Sequence, residues 1–178
     1  MSLIWIVNQF ANTPDLAGHT RQYEISKYLV KKNWKVELFS SDFSLSQRKF
    51  KKLTKNQLIK TERINGIDWH WLKVISYKKN NIKRIFNMLS FCFNLSIIFL
   101  IKLVIQRKKV KIIYASSPQL PAAFVSLLFS KIFKIPFFLE VRDLWPQVLI
   151  DQKGINNENL IIKLIKILEK KLYNNSDE

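Results

Sequence analysis

Three charged residues, Glu140, Arg142 and Asp143, fall within four positions directly after the apolar run Pro136–Leu139, and Trp145 and Pro146 follow. Two readings stand for such a cluster. In one, an arginine–carboxylate pair closes the end of a buried strand. In the other, the charged groups line a cleft and bind sugar hydroxyls or phosphate, with Trp145 offering a flat apolar surface. A second candidate is the loop ending Ala17-Gly18-His19-Thr20-Arg21. Gly18 lets the backbone come close to a ligand, and the start of the following helix offers N–H groups to an anion. The third is Ala115-Ser116-Ser117-Pro118-Gln119. There Ser117 and Pro118 predict a helix N-cap and first turn, and Ser116 adds a polar group.

Several chemistries lack their residues. The three glycines form neither a GxGxxG fingerprint nor a phosphate-binding P-loop, so dinucleotide and ATP binding gain no support. No GxSxG elbow is present, which argues against a serine nucleophile. The two histidines, His19 and His70, are scattered, without a cysteine or carboxylate pattern beside them, and predict no metal site. His70 lies in the aromatic segment Trp69-His70-Trp71 and reads as structural or as an edge-strand residue. The single Cys92 sits in an apolar helical stretch as a small buried hydrophobe and cannot form an internal disulfide.

These candidates need a scaffold that gathers them. Leu3–Val7 is a continuous apolar run suited to a strand buried on both faces. A helix over about 20–32 and a strand over 34–40 complete a β-α-β unit, which specifies a parallel sheet. Residues 42–60 are polar and basic, and predict an exposed loop with a short helix. Asn65-Gly66 is a hairpin signal joining strands over 60–64 and 67–75. Further strands are expected over 111–115 and 136–141, with helices over 117–133 and 159–174. The total is a Rossmann-like, doubly wound α/β domain with a mostly parallel sheet and helices on both faces. In such sheets ligands bind at the carboxyl ends of the strands, near the switch in strand order, and all three candidate segments fall there.

Residues 82–107 are the longest apolar segment, and Ile85–Ile101 carries no charge. This core is slightly short of the roughly 20 residues that span a bilayer. Asn87, Ser90 and Asn94 also mark one face as polar, and Lys102 interrupts the far end. A helix packed into the domain is the expectation, with a membrane-surface helix and, less favoured, a transmembrane helix as the alternatives to it.

The net charge is +17, from 30 basic and 13 acidic residues. Only six of the basic residues are Arg, and Lys is the poorer bidentate ligand for phosphate and guanine. An anionic membrane surface is therefore favoured over nucleic acid among polyanionic partners, against a background of Lys-, Ile- and Asn-rich composition. A reducing, cytoplasmic compartment fits the lone cysteine. No signal peptide is read in the amino-terminal residues, which run straight into a strand.

Taken together, these residues resemble the amino-terminal domain of family 4 glycosyltransferases. The resemblance spans nearly the whole chain. It is carried by Gly18–Arg21 with Tyr23-Glu24-Ile25 and Leu29, by Ala115–Pro118, by Pro136–Pro146, and by Leu168–Tyr173 running on to Asp177. Its most specific part, Glu140–Pro146, is similar to bacterial members that build cell-surface polysaccharide, including those resembling fucosamine transferases. The resemblance implies a GT-B architecture of two Rossmann-like domains, retention at the anomeric carbon, no essential metal and no cofactor beyond a nucleotide-sugar co-substrate. It implies that residues 1–178 are the acceptor-side half, inactive or nearly so alone, with the donor-binding domain and its paired glutamates outside this chain. Gly18 and His19 would approach the donor phosphates; Arg21, Ser116, Glu140 and Trp145 would serve the acceptor; Arg142 and Asp143 would line the catalytic centre. Many members carry His where Arg142 stands, so a neutral-imidazole role does not transfer, whereas Asp143 matches. The implied partners are a nucleotide-sugar, a lipid-linked or polysaccharide acceptor and an anionic membrane touched peripherally, and no nucleic acid. The implied location is cytoplasmic, at the inner membrane surface.

Overall fold

A strand buried at all five positions needs cover on both faces, and Leu3–Val7 has it as β1, in the middle of the sheet. The computed structural model describes residues 1–16, 18–54, 56–78, 82–117, 119–153 and 159–177. The other strands are β2 (Lys35–Ser41), β3 (Ile59–Ile64), β4 (Ile67–Leu72), β5 (Val110–Ser116) and β6 (Phe137–Glu140). Their order is β3-β4-β2-β1-β5-β6. All neighbours are parallel except the β3–β4 hairpin. From β1 the chain builds outward through β2 to the hairpin, then returns to add β5 and β6 on the other side. The switch in direction falls between β1 and β5.

Alternation of side chains splits the core in two. Trp5 and Val7 face one layer with Phe39, whereas Ile4 and Ile6 face the other with Leu38, Trp69 and Trp71. The helix α1 (Arg21–Lys31) covers the second layer through Tyr23. On the first lie α2 (Ile82–Leu100), α3 (Leu120–Phe133) and α5 (Leu160–Asn175), with α3 packed between the other two. Trp5 anchors this side, its ring 4.3 Å from Phe99 and 5.3 Å from Phe39.

The long apolar helix packs on the domain by one face. Its polar stripe docks on the chain after β4: Asn87 donates to the Ile75 carbonyl (2.6 Å) and Asn94 to that of Lys73 (2.7 Å). A π-helical turn, Ile101–Ile105, extends α2 and turns Lys102 inward, 2.9 Å from the buried Glu37 carboxylate. His70 stands 3.4 Å from the same carboxylate and lies in β4, one strand in from the edge. Burial alone would raise the Glu37 carboxyl, but hydrogen bonds from His70 and Lys102 hold it at about 2. Burial also lowers the His70 imidazole below its ordinary value.

Two expectations need correction. The stretch after β2 is an exposed loop over much of 46–58, but residues 42–44 are buried, and no helix forms among its described residues. Asp42 accepts backbone N–H bonds from Lys51, Lys52 and Leu53, and Phe43 is buried against Tyr77. A buried carboxylate that gathers three amides fixes a loop as firmly as a ladder would. Second, Ser117 does not cap α3, which starts at Leu120 with Gln119 as N-cap and Pro121 in its first turn. Pro118 lies outside the described residues, as does Gly154. A further short helix, α4 (Gln147–Lys153), follows the Trp145-Pro146 pair. The hairpin forms as its turn chemistry dictates: Asn65 and Gly66 take positive φ of 49° and 83°.

Candidate functional site at the carboxyl edge of the sheet

Ser116, the last residue of β5, sits at the switch point, and its hydroxyl is fully engaged. It accepts from the Asn8 side chain (3.0 Å) and the Gln22 side chain (3.3 Å), and donates to the Ser117 carbonyl (2.9 Å). Asn8 is the first residue after β1, and its side-chain oxygen also takes the Phe10 N–H (2.9 Å). The neighbouring strands β1 and β5 are thus tied together at their carboxyl ends.

Gln22, in the first turn of α1, carries this network to β6. Its amide donates to Glu140 Oε2 (3.0 Å), while Arg21 Nε pairs with Glu140 Oε1. Burial, with the Glu140 carboxylate nearby, pushes the Tyr114 phenol well above the usual range. The arginine–carboxylate reading of the charged cluster therefore holds in altered form: Glu140 pairs with Arg21 and not with Arg142. Glu140 and Ser116, both expected as acceptor-binding groups, make these internal bonds.

Ser117 positions the rest of the run. Its hydroxyl accepts the backbone N–H of Arg142 (2.8 Å) and of Asp143 (3.5 Å), and its own N–H reaches the Glu140 carbonyl (2.9 Å). The Arg142 side chain is exposed and Asp143 is half-buried. Trp145 does not present a free flat face; it packs against the core, with its indole nitrogen buried.

The glycine loop folds back on itself. The Asn12 N–H bonds to the His19 carbonyl (2.8 Å), and Ala11 and His19 form a bridge. Gly18 has φ of +134°, and the Asn12 side-chain amide occupies the space a Cβ would need. Both facts require glycine here. Asn12 is held in turn by Lys51, whose ammonium donates to its side-chain oxygen (2.6 Å) and to the Ser41 carbonyl (3.1 Å). Burial lowers the Lys51 ammonium to about 8. His19 and Arg21 are exposed beside this loop.

The structure therefore brings Arg21, Ser116 and Glu140 into one bonded network, with Gly18 and His19 on the β1 loop and Arg142 and Asp143 on the Ser117 hydroxyl. Sequence reasoning missed Asn8, Asn12, Gln22, Ser117 as a tie, and Lys51. The only signals for Asn8 and Gln22 were polar residues at positions whose neighbours are buried. Among the described residues, no group of three His, Cys, Asp or Glu side chains could hold a metal ion.

No family model matches the chain, and no curated protein matches it in sequence. Solved structures do resemble it. The catalytic domain of starch synthase IV from Arabidopsis thaliana, bound to ADP and acarbose, superposes with a TM-score of 0.50 at 12% identity over 80% of this chain. The likeness is one of fold. This chain shares a Rossmann-type α/β fold with part of that enzyme, and it spans 34% of that enzyme's chain. The SurE protein from Aquifex aeolicus aligns with 99% of this chain at 11% identity, and its TM-score is 0.39.

Proposed function

We infer that this chain is the acceptor-side half of a GT-B glycosyltransferase of the family 4 type, one that moves a sugar from a nucleotide-sugar to a lipid-linked or polysaccharide acceptor. The observation that carries the reading is the convergence of the Gly18 loop, the Ser116–Ser117 pair and the Arg142–Asp143 segment at the sheet's switch point. The finer placement, among transferases that build bacterial surface polysaccharide and resemble fucosamine transferases, rests on the residues Glu140–Pro146.

In this account Gly18 and His19 lie against the donor diphosphate. The N–H groups at the start of α1 favour the charge that builds on the departing phosphate. The anomeric carbon loses its bond to the diphosphate and gains one to the acceptor oxygen on the same face, and the acceptor's proton leaves with the diphosphate. Asp143 and Arg142 bind the transferred sugar and the acceptor hydroxyl. Glu140, held by Gln22, positions Arg21 instead of touching substrate. No step calls on a metal or cofactor.

The test is transfer of labelled sugar by the full-length protein, offered a panel of nucleotide-sugars and a membrane-lipid acceptor fraction. We expect incorporation that persists in EDTA, retention of the anomeric configuration, and a loss of about 100-fold or more in Asp143→Asn. Incorporation from no donor in the panel, or an Asp143→Asn variant as active as wild type, overturns the reading.

A further inference from the structure

A helix packed on one side ordinarily turns polar side chains to water on the other. The helix α2 does not. Its inner face buries Phe91, Leu95 and Phe99, yet its outer face exposes Phe86, Leu89, Phe93, Ile97, Leu100 and Val104. Their spacing of three and four residues keeps them in one line along the helix. With its π-helical turn the helix runs for 24 residues, about 36 Å. The neighbouring α3 adds exposed Leu128 and Ile132 on the same side of the sheet.

The charge around this stripe is one-sided. The three helices of the layer carry Lys83, Arg84, Lys102, Lys131, Lys163, Lys166, Lys170 and Lys171 against the single carboxylate Glu169. Lys102 is turned inward to Glu37 and Lys131 stands 3.9 Å from Asp177, whereas Lys83 and Arg84 lie in the first turn of α2 and the remaining four are on α5, across α3. An apolar face in a basic helical layer is complementary to acyl chains beneath anionic headgroups. Two copies of this face would instead set one basic layer against another.

The helix is also tied to the candidate site. Gln9, in the loop after β1, donates to Asn87 near the start of α2 (2.7 Å). The amino-terminal end of the stripe therefore lies at the same edge of the sheet as Gly18 and Ser116.

We propose that the outer face of α2, with the exposed apolar residues of α3, is the surface by which this chain lies on an anionic bilayer, helix axis in the membrane plane and the carboxyl edge of the sheet at the lipid surface. This deepens the transferase reading, since a lipid-linked acceptor would meet the site at that edge, but its evidence is independent of any catalysis.

The test is flotation of the full-length protein with vesicles of phosphatidylcholine and phosphatidylglycerol, against phosphatidylcholine alone. Leu89→Ser/Phe93→Ser removes two side chains more than half exposed in the free protein, so folding is untouched, as an unchanged Tm would verify. We expect binding to the mixed vesicles that weakens with salt, falls about tenfold or more in Leu89→Ser/Phe93→Ser, and drops in Lys170→Gln/Lys171→Gln. Absence of flotation, flotation indifferent to Leu89→Ser/Phe93→Ser, or a concentration-dependent dimer that the same substitutions abolish would overturn the proposal. Sugar transfer without flotation would remove the membrane surface and leave the transferase; flotation without transfer would do the reverse.

Discussion

Replacing Glu140 separates the two uses of a carboxylate at a strand end. If it is an internal anchor, Glu140→Ala leaves Gln22, which is buried, without its charged acceptor. A buried hydrogen bond to a charged group contributes about 1.5–3 kcal/mol. The Arg21 side chain is 62% exposed, and such a pair contributes under about 1 kcal/mol. The expected loss is therefore about 2–4 kcal/mol for Glu140→Ala. For Glu140→Gln, which keeps one acceptor oxygen but turns an NH2 toward a donor, it is about 1–2 kcal/mol. Arg21→Ala should cost under about 1 kcal/mol. Urea unfolding followed by tryptophan fluorescence measures all three, with an unchanged m-value as the sign that the end states are comparable. A Glu140→Ala variant within about 0.5 kcal/mol of wild type would refute the reasoning, because the carboxylate would then be free to serve a ligand.

Four other expectations follow from the same contacts. Lys102→Met strands the Glu37 carboxylate in the core and should destabilise by about 3 kcal/mol, with Glu37→Gln/Lys102→Met recovering part of the loss in thermal unfolding. Stability should fall on acidification in two stages, because His70 and Glu37 both bind fewer protons folded than unfolded. The first stage begins below the ordinary histidine value of 6.5, and the second runs from 4.5 down to about 2, as a pH series of urea midpoints would show. Gly18→Ala should cost about 1–3 kcal/mol from the strained backbone alone, displace Asn12, and lower sugar transfer far more than Arg63→Ala on the distant hairpin does. Lys51 should titrate near 8 by NMR of isotopically methylated lysines, well below the exposed lysines.

The strands and helices were legible where one physical requirement dominated. Leu3–Val7 had no polar residue to place outward, Asn65-Gly66 admitted one tight turn, and α5 repeated its apolar residues at helical spacing. Chain order then fixed which loops share an edge, which is why Gly18, Ser116 and Glu140 could be grouped before their contacts were known. What the sequence could not carry was the partner of each polar group. Glu140 stands two residues from Arg142, yet its bond goes to Arg21, 119 positions earlier. Asp42 looked like part of a solvated loop because nothing local reveals that its oxygens collect three amides from residues 51–53. The serine pair misled in the same way: a Ser-Pro start is a sound capping signal, but the Ser117 hydroxyl had a tertiary use in holding the Arg142 and Asp143 amides.

The account rests on one edge of the sheet being the place where substrate binds. Backbone amide shifts of the isotopically labelled chain, titrated with nucleotide-sugars, address that edge residue by residue. The account predicts perturbations confined to the Gly18–Gln22 stretch, Ser116–Ser117 and Arg142–Asp143. Shifts gathered instead at the opposite ends of the strands, around Leu3, Lys35 and Val110, would contradict it, and so would a spectrum that no nucleotide-sugar changes.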